Sequence, residues 1–586
     1  MPTVKIPLVG SYDTRGLDSD SHLLLDEDQR FLNCVFEVVQ NPVTGKSKVL
    51  LKKRPGWGVD TLVSSGLAAT ALIKPSDFNA PFSAFGETNS AVYVGSIHVG
   101  NITGRALHLT ETLVSASSYV LLKSSDGTGW YYPDGAKDVL TYTGDTISGD
   151  FRVSSIASTL GIYTGQLVTG GQMGAGARVT SVNFATSTIG LSIAATATST
   201  GAVITKEPVA KILDADFLSS MTYHSAFAAM DGYHFYATDD GYINNSDLNS
   251  VSVYSATGRL AVQQSPDPSV AVAIQNNKIV VLGTHSKEVF QNAGIAVGSP
   301  LLRIAQYAER IGCVDQRSLT QFEDDIYFVS TPHEGDIGIY RIRGLQAQRI
   351  STPAVDRILG SNATDGAIYA NSFRMGGQAY ATFSLSLASD GPNSNLLQES
   401  GDALLLEDAD NILTEDLASQ SAAFIRLLVY NINLNIWSEW DCDEATFIDG
   451  AGSGTGNQVI AVSRFVSTGA VYKIDPVSQG DIYQDASSTF SLEVRTSKLN
   501  FGSGNRKIMD EVRLICDQQA TGNAYLSYSD DDYGTWSTPR AFDLTKPEPK
   551  ITRLGAFNAR ALKITHSTNA AFRAEAIEVV YREATG

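Results

Sequence analysis

Along most of the chain, apolar residues recur at every second position in short runs that end in clusters of Gly, Asn and Asp. Runs of roughly four to eight residues with this period read as strands that bury one face. Ala91–Val99 (AVYVGSIHV), Tyr233–Ile243 (YHFYATDDGYI) and Val270–Leu282 (VAVAIQNNKIVVL) follow the pattern, as do the pairs Ile326–Ser330 with Gly338–Arg343 and Gln458–Ser463 with Ala470–Ile474. Asn276-Asn277 and Asp239-Asp240-Gly241 each sit between two such runs, which predicts β-hairpins. Hairpins repeating at this spacing predict an all-β chain; they fit a β-propeller body built of four-stranded antiparallel blades, and a sandwich array would give a similar rhythm. A helical period is nearly absent. The exception is Ser351–Leu359 (STPAVDRIL), where Ser351 or Thr352 caps a short helix ahead of Pro353.

Two segments interrupt the rhythm. Residues 143–206 are dominated by Thr, Ser, Gly, Ala, Val and Ile, with few charges, and predict a small β domain inserted into a loop. Residues 388–420, including NLLQESGDALLLEDADNILTED, are acidic with Leu clusters between the carboxylates. The plain reading is a solvated loop or extra hairpin; the sharper one is a contact or channel-facing element of an assembly. The predicted organisation is an N-terminal extended arm and strands over 1–60, a first propeller part over 61–142, the insertion, the rest of the propeller over 207–480, and a C-terminal region over 481–586. That last region reads as a β-sandwich or a blade-closing unit.

Composition sharpens this picture. With 43% apolar and 18% charged residues in 586, the charged share is below the usual value of about 25%. The 51 Gly, 24 Tyr and 23 Phe against 6 Met suit a β-rich chain. The net charge of −19 is the wrong sign for gripping phosphates, although an acidic wall lets DNA slide past with little adhesion. The opening MPTVKIPLVGSYDTRG lacks a basic and then apolar leader, so no secretory signal is expected. No run of about 18 apolar residues occurs, which predicts a soluble protein.

Candidate chemistry is sparse. Cys34, Cys313, Cys442 and Cys516 are far apart, with no CxxC or Cys/His cluster, so no zinc site is expected. Histidines 22, 98, 108, 224, 234, 285, 333 and 566 never fall at metal-ligand spacing, and neither a GxSxG elbow nor a Walker loop occurs. The basic run Lys46–Arg54 (KSKVLLKKR) reads as an edge strand with its lysines outward, or alternatively as a partner-docking face. Ser527–Trp536 (SYSDDDYGTW) resembles the Asp box of sialidase propellers with altered spacing; such boxes are turn scaffolds. No catalytic, cofactor-binding or metal-binding residue is therefore assigned, no cofactor is expected, and the chain reads as a non-enzyme.

Ile6–Gly10 (IPLVG), Arg30-Phe-Leu-Asn-Cys34 with Glu37, and Arg54-Pro-Gly-Trp57 open a series of short motifs. It continues through Asn245-Ser-Asp-Leu-Asn249, Gln264-Ser-Pro-Asp267, Leu282–Phe290 (LGTHSKEVF), Asn292–Gly294, Glu309-Arg-Ile-Gly-Cys313, Asp325–Val329, Gly338–Arg341 and Gln348–Thr352 with Val355. Val429-Tyr430, Trp437, Val471-Tyr472, Tyr528–Asp531, Gly534–Ser537, Arg553–Gly555 and Ala574–Val579 complete it. In this order, over roughly 85% of the chain, they resemble the packaged-DNA stabilisation, or tail-hub (nozzle), proteins of short-tailed bacteriophages. The usual DGG turn of that family reads Asp532-Tyr533-Gly534 here, and the insertion and acidic loop look additional. The insertion itself resembles a module of phage tail and fibre proteins through Leu160–Gly161, Gly165–Gln166, Val168, Gly170, Ala175–Gly176, Val179, Ser181–Val182, Thr188–Ile189, Leu191–Ser192 and Ala195–Thr196.

The resemblance implies a virion tail component assembled in the host bacterial cytoplasm. It implies a homo-oligomeric ring of six subunits below the portal–adaptor connector, bearing tail fibre, tailspike or needle proteins. Genomic double-stranded DNA would pass its channel without specific binding. Two other readings stand beside it: a receptor-binding or fibre-attachment tail protein, and a sialidase-like carbohydrate-active propeller.

Overall fold

The protein is described here by a computed structural model covering residues 3–9, 30–40, 47–62, 69–73, 81–86, 89–114, 117–133, 141–157, 159, 162, 164–183, 185–219, 225–262, 267–295, 297–331, 337–362, 368–385, 425–442, 448–454, 458–463, 469–474, 483–485, 488–531 and 533–583. Among these residues, seven four-stranded antiparallel blades succeed one another along the chain. Blade 1 comprises Ala69–Ile73, Phe82–Phe85, Asn89–Val94 and Ile97–Thr103. Blade 2 comprises Ala106–Val114, Ser117–Ser124, Gly129–Pro133 and the end of the long strand Ser199–Lys211. Blades 3, 4 and 5 occupy Ala228–Ala261, Ser269–Arg303 and Leu319–Arg349. Blade 6 is Ile368–Met375, Gln378–Leu385, Ile425–Asn431 and Ile436–Cys442. Blade 7 takes three strands from Ile448–Ile474, and its outer strand is Gly58–Leu62, from near the start of the chain.

The blades form a closed circle because each neighbouring pair shares an apolar core. Val92 with Val120 joins blades 1 and 2, and Leu121 with Tyr236 joins 2 and 3. Phe235 with Val281 joins blades 3 and 4, and Val280 with Phe328 joins 4 and 5. Tyr327 with Phe383 joins blades 5 and 6, Phe373 with Tyr472 joins 6 and 7, and Val471 with Phe85 closes 7 onto 1. The alternation that predicted strands thus feeds both faces of each sheet, which explains why so many strands here are buried along nearly their whole length. Asn276 and Asn277 both adopt positive φ (50° and 54°), the geometry that a two-residue hairpin requires, and Asn tolerates it. Helix Pro353–Asn362 starts as read: Thr352 accepts the Asp356 amide at 2.9 Å through its carbonyl, and Pro353 takes the first helical position. No helix among the described residues is long and apolar enough to cross a membrane.

Strands Thr141–Thr146, Arg152–Ser154, Gln166–Thr169, Val179–Asn183 and Thr188–Leu191, with the first part of Ser199–Lys211, lie between the third and fourth strands of blade 2. They enclose their own core around Val153, Val168, Ile189 and Ile204. Gly165 permits the insertion to fold back on the blade, since a Cβ there would lie 1.7 Å from the Lys211 carbonyl oxygen.

The two chain ends build one β-sandwich. One sheet holds Thr3–Pro7, Cys34–Gln40, Ser47–Lys53, Lys507–Cys516, Lys550–Phe557 and Arg573–Glu583. The facing sheet holds Arg30–Leu32, Leu492–Arg495, Asn523–Ser529, Arg540–Asp543 and Ala561–His566. Their inner faces meet in a core that includes Ile6, Phe36, Leu51, Val512, Ile577, Phe31, Val494, Leu526 and Ile564. The C-terminal region is accordingly a sandwich, and blade closure falls to Gly58–Leu62. Strand Ser47–Lys53 is not a free edge, because it pairs with Cys34–Gln40 on one side and touches the last strand at Leu51 and Lys52 on the other. The acidic segment 388–420, and its role, lie outside the described residues.

Trp57 is fully buried in the core shared by blades 6 and 7, directly ahead of the closing strand. Trp57→Ala is expected to destabilise the folded chain by about 3–5 kcal/mol, read as a lowered urea midpoint.

Candidate functional site at the buried seams

The motif residues converge on two buried polar seams. The first joins propeller to sandwich. Asn33 stands at φ 55°, a conformation that Asn supports locally, and its backbone amide donates to the Glu439 carbonyl at 2.8 Å. Its side-chain oxygen accepts from Arg54 Nε and from the Asp441 amide, each at 2.9 Å, while its Nδ2 donates to the Ser491 carbonyl at 2.8 Å. Arg54 and Asp485 are both removed from solvent (0% and 2% side-chain exposure) and form a two-point pair, with Arg54 Nη1 at 2.8 Å from Asp485 Oδ1 and Nη2 bonded to Oδ2. Arg54 Nη2 also donates to the Asp441 carbonyl at 2.8 Å, and the Trp57 amide donates to Asp485 Oδ1 at 3.1 Å. A charge buried this deeply is tolerated only when its hydrogen-bonding capacity is met, and here it is.

Around that pair, Arg54 lies 3.9 Å and Lys53 Nζ 4.6 Å from the ring centre of Phe490, and Lys53 donates to the Thr568 carbonyl at 2.9 Å. Burial, with Arg54 nearby, lowers the Lys53 ammonium to about 8. The reading of Lys46–Arg54 as an outward-facing basic run fails at these two positions, because Asp441, Asp485, Phe490 and Thr568, which bury them, lie hundreds of residues away. Arg30 adds an exterior clasp to Glu439, with Nε–Oε1 at 3.0 Å and Nη2–Oε2 at 2.8 Å, and Trp440 Nε1 donates to the Cys34 carbonyl at 3.1 Å. Gly56 is required by a close approach: a Cβ there would meet the Gln484 carbonyl oxygen at 2.0 Å.

The second seam locks blade 4 to blade 5. Asp267 accepts from the His285 amide at 2.8 Å and from Ser286 Oγ at 2.7 Å, which shapes the turn inside LGTHSKEVF. Buried Lys287 pairs with Glu309 at 2.9 Å and donates to the Leu345 carbonyl at 2.6 Å. Gly312 lets the ERIGC segment cross this turn, where a Cβ would lie 2.2 Å from the Thr284 backbone.

The histidines are dispersed. His22, His224 and His333 lie outside the described residues, and His98, His108 and His285 sit on separate elements. Buried His234 bridges blades 2 and 3, with Nε2 3.0 Å from Thr112 Oγ1 and Nδ1 2.9 Å from the Ser250 carbonyl. His566 Nε2 lies 2.9 Å from Thr568 Oγ1, beside the first seam. Burial holds both imidazoles down at about 4, with Lys53 adding to the effect at His566. Among the described residues no group of three His, Cys, Asp or Glu side chains could hold a metal ion.

The Asp-box-like segment is a turn of the sandwich, away from the blades. Asp531 accepts from Ser529 Oγ at 2.8 Å, from the Thr535 amide at 2.9 Å and from the Thr535 hydroxyl. The Thr535 bonds, followed by that of Ser529, hold its carboxyl down at about 2. Tyr533, where the family has Gly, stands at φ 66°. Asp532 lies outside the described residues.

Closed blades, a sandwich made of both termini and buried polar seams define an all-β propeller protein whose most conspicuous polar groups hold modules together. Residues 158–375 match the phage-stabilisation family model, described as bacteriophage P22 Gp10, beta-propeller. That stretch runs from within the insertion through blade 5 to the first strand of blade 6, so this chain is similar to the family over less than half of its length, a narrower match than the motif series. No curated protein matches the sequence. Among solved structures, a Raptor protein of Chaetomium thermophilum is 9% identical over 72% of this chain at a TM-score of 0.35, and this chain spans 30% of it. An exo-β-1,3-galactanase of Phanerochaete chrysosporium is 11% identical over 61% of this chain and 96% of its own, at a TM-score of 0.23. Likenesses this low bear neither on fold nor on function.

Arg54→Met leaves Asp485 buried without its counter-charge and is expected to destabilise the chain by about 3–5 kcal/mol. Adding Asp485→Leu should restore most of that loss in urea unfolding. For pH, the unfolded chain protonates His234 and His566 near 6.5 while the folded chain resists until about 4. Their stabilising effect is therefore complete above pH 6.5 and is lost as pH falls towards 4. The melting temperature should drop across that window, with a shallower drop in His234→Gln.

Proposed function

We propose that this chain is the tail-hub subunit of a short-tailed bacteriophage, a ring of six copies seated below the portal–adaptor connector. In this reading the ring retains packaged DNA and carries the distal fibre, tailspike or needle proteins. It assembles in the host cytoplasm and resides in the virion tail. The carrying observation is the family match across blades 3 to 5, the last two of which the second seam locks together. A ring generated by rotation needs two different faces on each subunit and a body that does not shear between them. Blades sharing cores all round the circle, and a sandwich clamped to blade 6, supply such a body. The net charge of −19 suits a wall past which DNA slides.

The test is electron imaging of phage carrying a nonsense mutation in this gene. Heads that fill and then lose DNA, on particles lacking distal tail parts, are expected. Full heads with complete tails that merely fail to infect would contradict the proposal and favour a receptor-binding role.

A further inference from the structure

At one end of the sandwich, a cavity of about 410 Å³ opens between the turn carrying Asp530 and Tyr533, the loop bearing Lys498 and Arg506, and the Asn558 turn. That volume lies within the roughly 300–1,000 Å³ common for small-molecule sites.

Its walls are pinned from behind. Buried Lys507 donates to the carbonyls of Ser503, Asn505 (2.8 Å) and Asn558 (3.4 Å), tying two rims together. Buried Arg560 grips Asp530 at two points of 2.7 Å each, donates to the Leu554 carbonyl at 2.8 Å and stacks 3.9 Å from the ring centre of Tyr528. Tyr533 donates through its hydroxyl to the Thr496 carbonyl at 3.3 Å and through its amide to Ser529 Oγ at 3.1 Å. A bulky residue at φ 66° is an outlier where Gly would be relaxed, and such strain tends to gather at functional positions.

We propose that this cavity binds an acidic sugar, a pyranose bearing a carboxylate or phosphate group. Lys498 and exposed Arg506 supply cationic donors for the anionic group. The Asp530 carboxylate, 41% exposed and fixed by Arg560, offers acceptor lone pairs to ring hydroxyls. Tyr533 offers an aromatic surface to the apolar side of the ring. Two cations at the mouth of one cavity stand out on a chain of net charge −19.

The full-length protein is titrated by saturation-transfer NMR and calorimetry with glucuronate, glucose 6-phosphate, neutral glucose and a short DNA duplex. At least one of the two acids should bind with a Kd of about 1–10 mM, and glucose about tenfold more weakly, a ratio equal to one charge-assisted hydrogen bond. Preference for glucuronate or for glucose 6-phosphate then identifies a carboxylated or a phosphorylated sugar. Arg506→Ala, at an exposed position, and Lys498→Ala, at a half-buried one, should each weaken acid binding about tenfold, and Tyr533→Gly should weaken it without lowering the melting temperature. Absence of binding by both acids, equal binding by the Arg506→Ala and Lys498→Ala variants, or duplex binding that depends on the same two residues would overturn the proposal.

Discussion

Arg54 and Asp485 are 431 positions apart, and neither can be buried without the other. Removing two opposite charges from water is costly, and their attraction offsets that cost only when geometry is good and the remaining donors and acceptors are met. Here the partners come from three places: Asn33 from the N-terminal segment, the Asp441 backbone from blade 6, and Asp485 from the segment entering the C-terminal strands. The arrangement is complete only when all three are in place, so this pair couples sandwich to propeller. It also sits just ahead of Gly58–Leu62, so the strand that closes blade 7 is anchored by the group that holds the modules together.

The seam between blades 4 and 5 repeats the logic on a smaller scale, with Lys287 and Glu309 paired and a glycine opposite backbone. Gly56 and Gly312 serve contact and not turning, since each leaves room for a carbonyl group of another segment. Much of what makes the motif series distinctive is thus architecture. The cavity among Lys498, Arg506 and Asp530 lies at the far side of the sandwich core and uses residues that the first seam does not need.

Short-range structure was readable from the sequence because its causes are local. Asn276-Asn277 specifies a hairpin and Thr352-Pro353 a helix start through their own backbone preferences. The sandwich was only half readable, since the pairing of Thr3–Pro7 with Ala576–Val580 leaves no trace in either stretch. For the same reason Lys53 and Arg54 looked solvated: the alternation of KSKVLLKKR is that of a surface strand, and the carboxylate, ring and carbonyls that bury its end belong to remote residues. The Asp531 turn could be read as a scaffold because Ser529, Asp531 and Thr535 are neighbours in sequence. The cavity could not, because it forms from three separate loops whose residues are individually ordinary.

The central claim, that the Arg54–Asp485 seam makes propeller and sandwich one rigid body, is tested most directly by the distance between a spin label at exposed Leu248 on blade 3 and one at exposed Lys546 on the sandwich. Pulsed electron spin resonance should give one narrow distance that persists in samples equilibrated at rising temperature until the whole chain unfolds. A broad or two-peaked distribution in a fully folded protein would contradict it.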